Sequence, residues 1–169
     1  TWSPTGDWSS KQPCKRNRFI HNTIENPWHA NGIGIYGGGG HEARGNIVRD
    51  TVMSGGGVLI SSGHGANPFS GEIRVESNLF VRTGGECYIG ESNGAVWVHA
   101  NDSDIEADII VRALEIVDPV FAGVTVHGPK SVKRLVLENV LIRGSDDGGI
   151  RVMPSANEAG LVTNNVREE

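Results

Sequence analysis

Little in this sequence could staple a fold, cross a membrane or grip nucleic acid. Its 169 residues include two cysteines, Cys14 and Cys87. Two thiols cannot build a disulfide scaffold, and the spacing leaves both a Cys14–Cys87 bridge and two free thiols open. No apolar run approaches the roughly 20 residues of a membrane span. The six histidines contain no HxH or HExxH pair, so no metal site is expected, and no cofactor motif is present. Fifteen basic residues against 20 acidic ones give a net charge of −5. They form no basic stripe, which weighs against nucleic acid as a partner. There is no initiator Met and no leader sequence, so the expectation is a chain that was processed or cut from something longer.

What is present is repetition. One cassette reads His21-Asn22-Thr23-Ile24, Gly45-Asn46-Ile47-Val48-Arg49, Ser77-Asn78-Leu79-Phe80-Val81-Arg82, Ala107-Asp108-Ile109-Ile110-Val111-Arg112 and Glu138-Asn139-Val140-Leu141-Ile142-Arg143. A second, glycine-led cassette alternates with it: Gly32-Ile33-Gly34-Ile35-Tyr36, Gly57-Val58-Leu59-Ile60, Gly94-Ala95-Val96-Trp97-Val98, Gly123-Val124-Thr125-Val126 and Gly149-Ile150-Arg151-Val152. The combined period is about 24 to 32 residues, the range of a solenoid. Both cassettes are rich in Val and Ile, are too short for helices and are punctuated by Gly and Asn/Asp, which predicts strands.

Two strands per repeat, returning in the same sense, predict an all-β, single-stranded, right-handed parallel β-helix of about five or six rungs over residues 17–169. Residues 1–16, with Pro4, Gly6 and Pro13, are expected to form a cap or extended segment. The recurring Asn predicts a corner at which side-chain amides bond from rung to rung: Asn22, Asn46, Asn78 and Asn139, with Asp108 as the exception. The 24 glycines, spread along the rungs, suit tight corners. Extra length at Ser61–Ser70 and Gly84–Asn93 must loop out, where binding surfaces often sit.

The stretch Asn31-Gly32-Ile33-Gly34-Ile35-Tyr36-Gly37-Gly38, followed by Gly45-Asn46-Ile47-Val48-Arg49-Asp50-Thr51-Val52-Met53-Ser54-Gly55-Gly56-Gly57-Val58, resembles the mycodextranase and α-1,3-glucanase family of glycoside hydrolases. The likeness runs from about residue 17 to the end, through Asn78–Gly84 and Gly94–Trp97. It implies a secreted, extracellular protein with a right-handed β-helix that cleaves α-1,3-glucan with inversion. Inversion takes a general acid and a general base whose carboxyls stand roughly 6.5–9.5 Å apart. In the family an essential Asp-Asp-Gly precedes a strand similar to Thr1-Trp2-Ser3. The resemblance therefore implies that the acid pair lies before residue 1, and that this chain carries the later rungs of a catalytic domain.

The candidate catalytic residues within the chain are Asp50, Asp146 and Asp147. Asp146-Asp147-Gly148 holds two adjacent aspartates, and it also reads as a solvated turn. Asp50 lies in the best-matching block and reads equally as a corner residue that bonds nearby amides. The candidate substrate-binding residues are Tyr36, Trp97 and His99. Aromatic rings offer a pyranose an apolar face with a polar edge, although alternation along the strand could instead bury Trp97. Asn101-Asp102-Ser103-Asp104-Ile105-Glu106 lacks the glycine and spacing of a calcium loop and reads as an ordinary loop. Arg49, Arg82, Arg112 and Arg143 read as a solvated ladder.

Three functions follow. One is a polysaccharide-active coil resembling an inverting α-1,3-glucan hydrolase, complete or incomplete. The second is a carbohydrate-binding coil without catalysis. The third is a structural coil that self-assembles, since an open rung exposes unpaired strand groups and makes a homo-oligomer the expectation. A polysaccharide is the expected partner of the first two.

Overall fold

The computed structural model describes residues 14–53, 55–63, 68–86, 92–153 and 160–169. Most of residues 1–16, expected to cap the coil, and Cys87 lie outside these. Cys14 is a half-buried free cysteine. Among the described residues there are strands and no helices.

The chain coils. The first turn contains β1 (Arg18–Ile20), β2 (Thr23–Glu25) and β3 (Ile33–Ile35). The second adds β4 (Gly38–Gly39), β5 (Glu42–Arg44), β6 (Ile47–Arg49) and β7 (Val58–Ser61). The third contains β8 (Phe69–Ser70), β9 (Glu72–Glu76), β10 (Leu79–Val81), β11 (Gly85–Glu86), β12 (Ser92–Asn93) and β13 (Val96–His99). Then come β14 (Ile105–Val117) with β15 (Val124–His127), β16 (Val132–Arg143) with β17 (Ile150–Val152), and β18 (Leu161–Glu168). Each turn pairs in parallel with the one before it. A five-stranded sheet runs β17-β15-β13-β7-β3, and a nine-stranded sheet takes the remaining long strands. This is the pairing of a parallel β-helix.

Each turn has three sides, one more than the two cassettes predicted. The nine-stranded sheet bends along its length. β1, β5 and β9 form one half and β2, β6 and β10 the other, while β14 and β16 run through both halves. The bend is made by a column of residues in left-handed conformation: His21 (φ 55°), Gly45 (64°), Ser77 (52°), Ala113 (51°), Asn139 (52°) and Asn165 (52°). A second such column closes the next corner with Asn26 (50°), Asp50 (58°), Arg82 (48°), Asp118 (48°) and Gly144 (67°). Short polar residues and glycine tolerate this conformation best, which explains the Asn/Asp/Gly punctuation.

The Asn ladder exists but is shorter than expected. Asn22 Nδ2 donates to Asn46 Oδ1 (3.1 Å) and Asn46 Nδ2 donates to Asn78 Oδ1 (2.9 Å). The same oxygens accept the backbone N–H groups of Asn22 (3.0 Å) and Asn46 (2.8 Å). The register then puts buried Leu114 and Val140 in that column, because Leu79 pairs with Glu115 and Leu114 with Val140. Asp108 is therefore no rung of the ladder. It pairs in register with Glu72 and Arg134 on the other half-sheet. Asn139 belongs to the left-handed column one position earlier, where its Oδ1 accepts from Asn165 Nδ2 at 2.7 Å.

The core is a set of apolar columns: Ile24-Val48-Phe80-Ile116-Ile142, Ile33-Val58-Val96-Val124-Ile150 and Ile35-Ile60-Val98-Val126-Val152. The inner rows of the five-stranded sheet come from strict alternation, one side chain in and one out. Gly57 leaves room for the core, since a Cβ there would stand 2.7 Å from the Phe80 ring. In the third turn the residue equivalent to Gly57 is Ala95, not Gly94, as the backbone bonds Val58 N–H to Ala95 O and Ala95 N–H to Ala122 O show.

Asn46→Ala removes both partners of a buried rung and strands the Asn22 N–H, so it is expected to lower unfolding stability by about 2–4 kcal/mol. Asn139→Ala, at the exposed corner, is expected to cost about 1 kcal/mol. Urea denaturation of both variants measures the difference.

Candidate functional site

The outward rows of the five-stranded sheet form the candidate site. Register fixes two of them. One runs Gly34-Leu59-Trp97-Thr125-Arg151, and the other carries Ser61, His99 and His127 from β7, β13 and β15, with Tyr36 and Met153 directly after β3 and β17. Val96 and Val98 point into the coil, so alternation sends Trp97 outward, away from the main core. There it joins Leu59 and Tyr36 in a separate apolar cluster.

Trp97, His99 and His127 make one stack. The Trp97 ring lies 5.5 Å from that of His99 and 5.3 Å from that of His127, and the two imidazoles lie 4.6 Å apart, with interplanar angles of 17°, 6° and 23°. Trp97 and His127 are 7% and 0% exposed. The stack therefore presents mainly His99, which is half-buried. Burial pushes the His127 pKa down to about 4. Thr125 Oγ1 accepts the Gly94 N–H at 2.9 Å. Tyr36 and Met153 are half-buried and Arg151 is exposed, so these three and His99 are the accessible rim of the face.

The strand ends are tied down beside this rim. Ser62 Oγ donates to Ser103 O (2.5 Å) and accepts from the N–H groups of Asn101 (3.1 Å) and Ser103 (3.4 Å). The Asn101–Ser103 turn is thereby fixed to the coil below it. Among the described residues, no group of three or more His, Cys, Asp or Glu could hold a metal ion.

Of the three expected acids, Asp50 is separated from the adjacent Asp146 and Asp147. Asp50 occupies the second left-handed corner, on the nine-stranded sheet, and binds Arg82 of the next turn through both oxygens (2.6 and 3.0 Å). That guanidinium holds its carboxyl below the usual range. Asp146 and Asp147 are exposed in the turn between β16 and β17. Asp147 reaches Arg151 of the candidate face at 3.5 Å. Asp50 and the Asp146-Asp147 turn are three coils apart, about 14 Å along the axis at strand spacing, beyond the roughly 6.5–9.5 Å of an inverting pair. Every described position on the two outward rows is apolar, hydroxylic, aromatic, imidazole or guanidinium. None is a carboxylate.

Of the expected binding residues, Tyr36, Trp97 and His99 share this face. His127, Thr125 and Arg151 share it too and were missed by sequence reasoning. The signal for His127 was present: extending the Gly123 cassette by one residue aligns it with Tyr36. The arginine ladder is a set of ion pairs between turns, with Arg49 on Glu25, Arg112 on Glu76 (2.9 Å) and Arg143 on Glu115 (2.6 Å) and Glu169 (3.1 Å).

The unfolded chain protonates His127 near 6.5, whereas the folded chain resists until about 4. Between those values the unfolded state binds more protons, so stability is full above pH 6.5 and falls as pH drops toward 4. The loss is on the order of 1–3 kcal/mol. His127→Phe keeps a stacked ring without a titrating group. Its stability, followed by urea melts across this range, is expected to fall less than that of the parent.

A scan against protein-family models and a search of curated proteins find no match. Solved structures do match. The catalytic unit of a thermostable GH87 α-1,3-glucanase from Streptomyces thermodiastaticus is 27% identical over 90% of this chain, with a TM-score of 0.70. A GH87 α-1,3-glucanase catalytic domain in complex with nigerose gives 19% identity over 89% of this chain and a TM-score of 0.68. A variant GH87 domain in complex with tetrasaccharides gives 22% over 79% and 0.62. The last two, at such identities, speak for the fold alone. The chain covers 35%, 37% and 29% of those three structures respectively, about a third of their length. The structural neighbours of this chain are thus catalytic domains of GH87 α-1,3-glucanases, the family its Asn31–Val58 blocks resemble.

Proposed function

We propose that this chain is a right-handed β-helical part of a polysaccharide-active protein of the GH87 type, and that it holds an α-1,3-linked glucan against the outer face of its five-stranded sheet. The observation that carries this reading is the 27% identity and TM-score of 0.70 to a GH87 catalytic unit over 90% of the chain. The face adds chemical support. Tyr36 and His99 offer ring surface to the apolar side of a pyranose, and Arg151 offers hydrogen-bond donors to its hydroxyls.

The role we propose is substrate holding. The described face lacks a carboxylate, and Asp50 stands too far from Asp146 and Asp147 to share one glycosidic bond with either. Asp147 orients Arg151 through their ion pair. A protein that works on such a polymer acts outside the cell, and secretion is part of the proposal.

The test is sedimentation with insoluble α-1,3-glucan, assaying protein in the pellet and reducing sugar in the supernatant. The chain is expected in the pellet. Tyr36→Ala and His99→Ala are each expected to weaken retention by roughly 3- to 30-fold. Asp50→Asn, remote from the face, is expected to change neither readout. Retention untouched by the two ring variants would overturn the assignment of this face. Sugar release abolished by Asp50→Asn would overturn the separation of that corner from the site.

A further inference from the structure

A second concavity lies on the first three turns, on the half-sheet of β1, β5 and β9 and away from the aromatic face. It is a cleft of about 250 Å³ lined by Arg16, Gly40, His41, Glu42, Glu72 and Arg74. No lining side chain is a hydrocarbon.

Its lining carries two guanidiniums, Arg16 and Arg74, and two carboxylates, Glu42 and Glu72, and both carboxylates are already engaged. Glu42 is engaged by two guanidiniums, Arg18 at 2.8 Å and Arg44 at 2.9 Å. Glu72 is engaged by Arg74, and neighbouring Glu76 is taken by Arg112. Arg16 has no carboxylate partner among the described residues. With Arg18 and Arg44, which bind Glu42 from outside the lining, four guanidiniums stand beside the two carboxylates of the cleft on a chain whose net charge is −5. The Arg18 hydrogen bond, with Arg44 and Arg74 nearby, holds the Glu42 carboxyl below its usual range, so this pairing persists in mild acid.

Arg16 is also held in place. Buried His41 accepts the Asn17 N–H on Nδ1 at 3.3 Å, with Nε2 3.2 Å from Gly37 O, which clamps the segment carrying Arg16 to the second turn. The Arg16 backbone is left-handed (φ 57°) and donates its N–H to Gly39 O at 2.9 Å. Its side chain crosses Gly40, where a Cβ would stand 3.2 Å from Arg16 Cγ. An exposed guanidinium without a carboxylate partner among the described residues, carried on a tied backbone at the mouth of a polar cleft, matches the planar oxygens of an anion. A concave wall concentrates the field of such a charge.

We propose that this cleft is a binding site for a small oxyanion, gripped by the guanidiniums of Arg16 and Arg74. Its volume lies below the roughly 300–1,000 Å³ of pockets for drug-sized ligands. That limits the occupant to a free inorganic oxyanion or the carboxylate of one acidic sugar. The site is independent of the glucan face.

The experiment is isothermal titration of the full chain, at ionic strength held constant with chloride, using sulfate, inorganic phosphate, glucuronate and glucose in turn. Saturable binding of at least one oxyanion is expected, and glucose is expected to give none. Glucuronate competing with sulfate identifies the acidic-sugar source, and sulfate or phosphate alone identifies the inorganic one. Arg16→Gln and Arg74→Gln are each expected to weaken binding by roughly tenfold or more, with thermal midpoint and glucan sedimentation unchanged for exposed Arg16. Arg143→Gln, on the distant ladder, is expected to bind like the parent. Absence of oxyanion binding, equal binding in Arg16→Gln, or an equal response to glucose would overturn the proposal.

Discussion

Everything in this molecule hangs on the in-register hydrogen bonding of each turn to the next. Ile33 N–H reaches Gly57 O, Val58 N–H reaches Ala95 O, Val96 N–H reaches Gly123 O and Val124 N–H reaches Gly149 O, each at 2.8–3.0 Å. A corner can be made only where the turns above and below make the same corner, since a mismatch would leave buried backbone groups unpaired. Left-handed residues are therefore stacked in columns, and the chain accepts that conformation even at Arg82 and Ala113. Tertiary pairing overrides local preference there.

The same constraint organises the side chains. A residue meets its equivalents about 4.8 Å above and below, so each outward position becomes a ladder of one chemistry or alternating chemistries. On the nine-stranded sheet the ladders alternate in charge, as in Glu25–Arg49 and Glu76–Arg112. On the five-stranded sheet they are aromatic and imidazole, ending in Arg151. Inside the coil an amide column gives way to Leu114 and Val140, because either paired amides or packed hydrocarbon satisfies a buried column.

The proposed function rests on which face carries which ladder. The face with ring surface and few charges suits a neutral polymer lying across successive turns. The cleft by Arg16 instead gathers guanidiniums from three turns around two acids. Spacing also sets a limit on chemistry. Two acids can cooperate on one bond only from the same or neighbouring turns, which separates Asp50 from Asp146 and Asp147 however suggestive each looks in the sequence.

The sequence alone determined the repeat, the parallel strands and the apolar columns, because alternation and period depend only on local spacing. It also placed Tyr36, Trp97 and His99 in one repeated element, and its Asn31–Val58 blocks pointed to the family of the structural neighbours. Register was another matter. Asp108 and Asn139 sit in cassettes that look equivalent to Asn78, yet each falls in a different column. One extra residue between elements shifts every later equivalence and is invisible without the partner strand. Only the tertiary structure decided that each turn has three sides, that Trp97 faces outward beside His127, and that Arg16 meets Arg74 across a cleft. Those facts depend on which turns stack against each other, and distance along the chain does not carry that information.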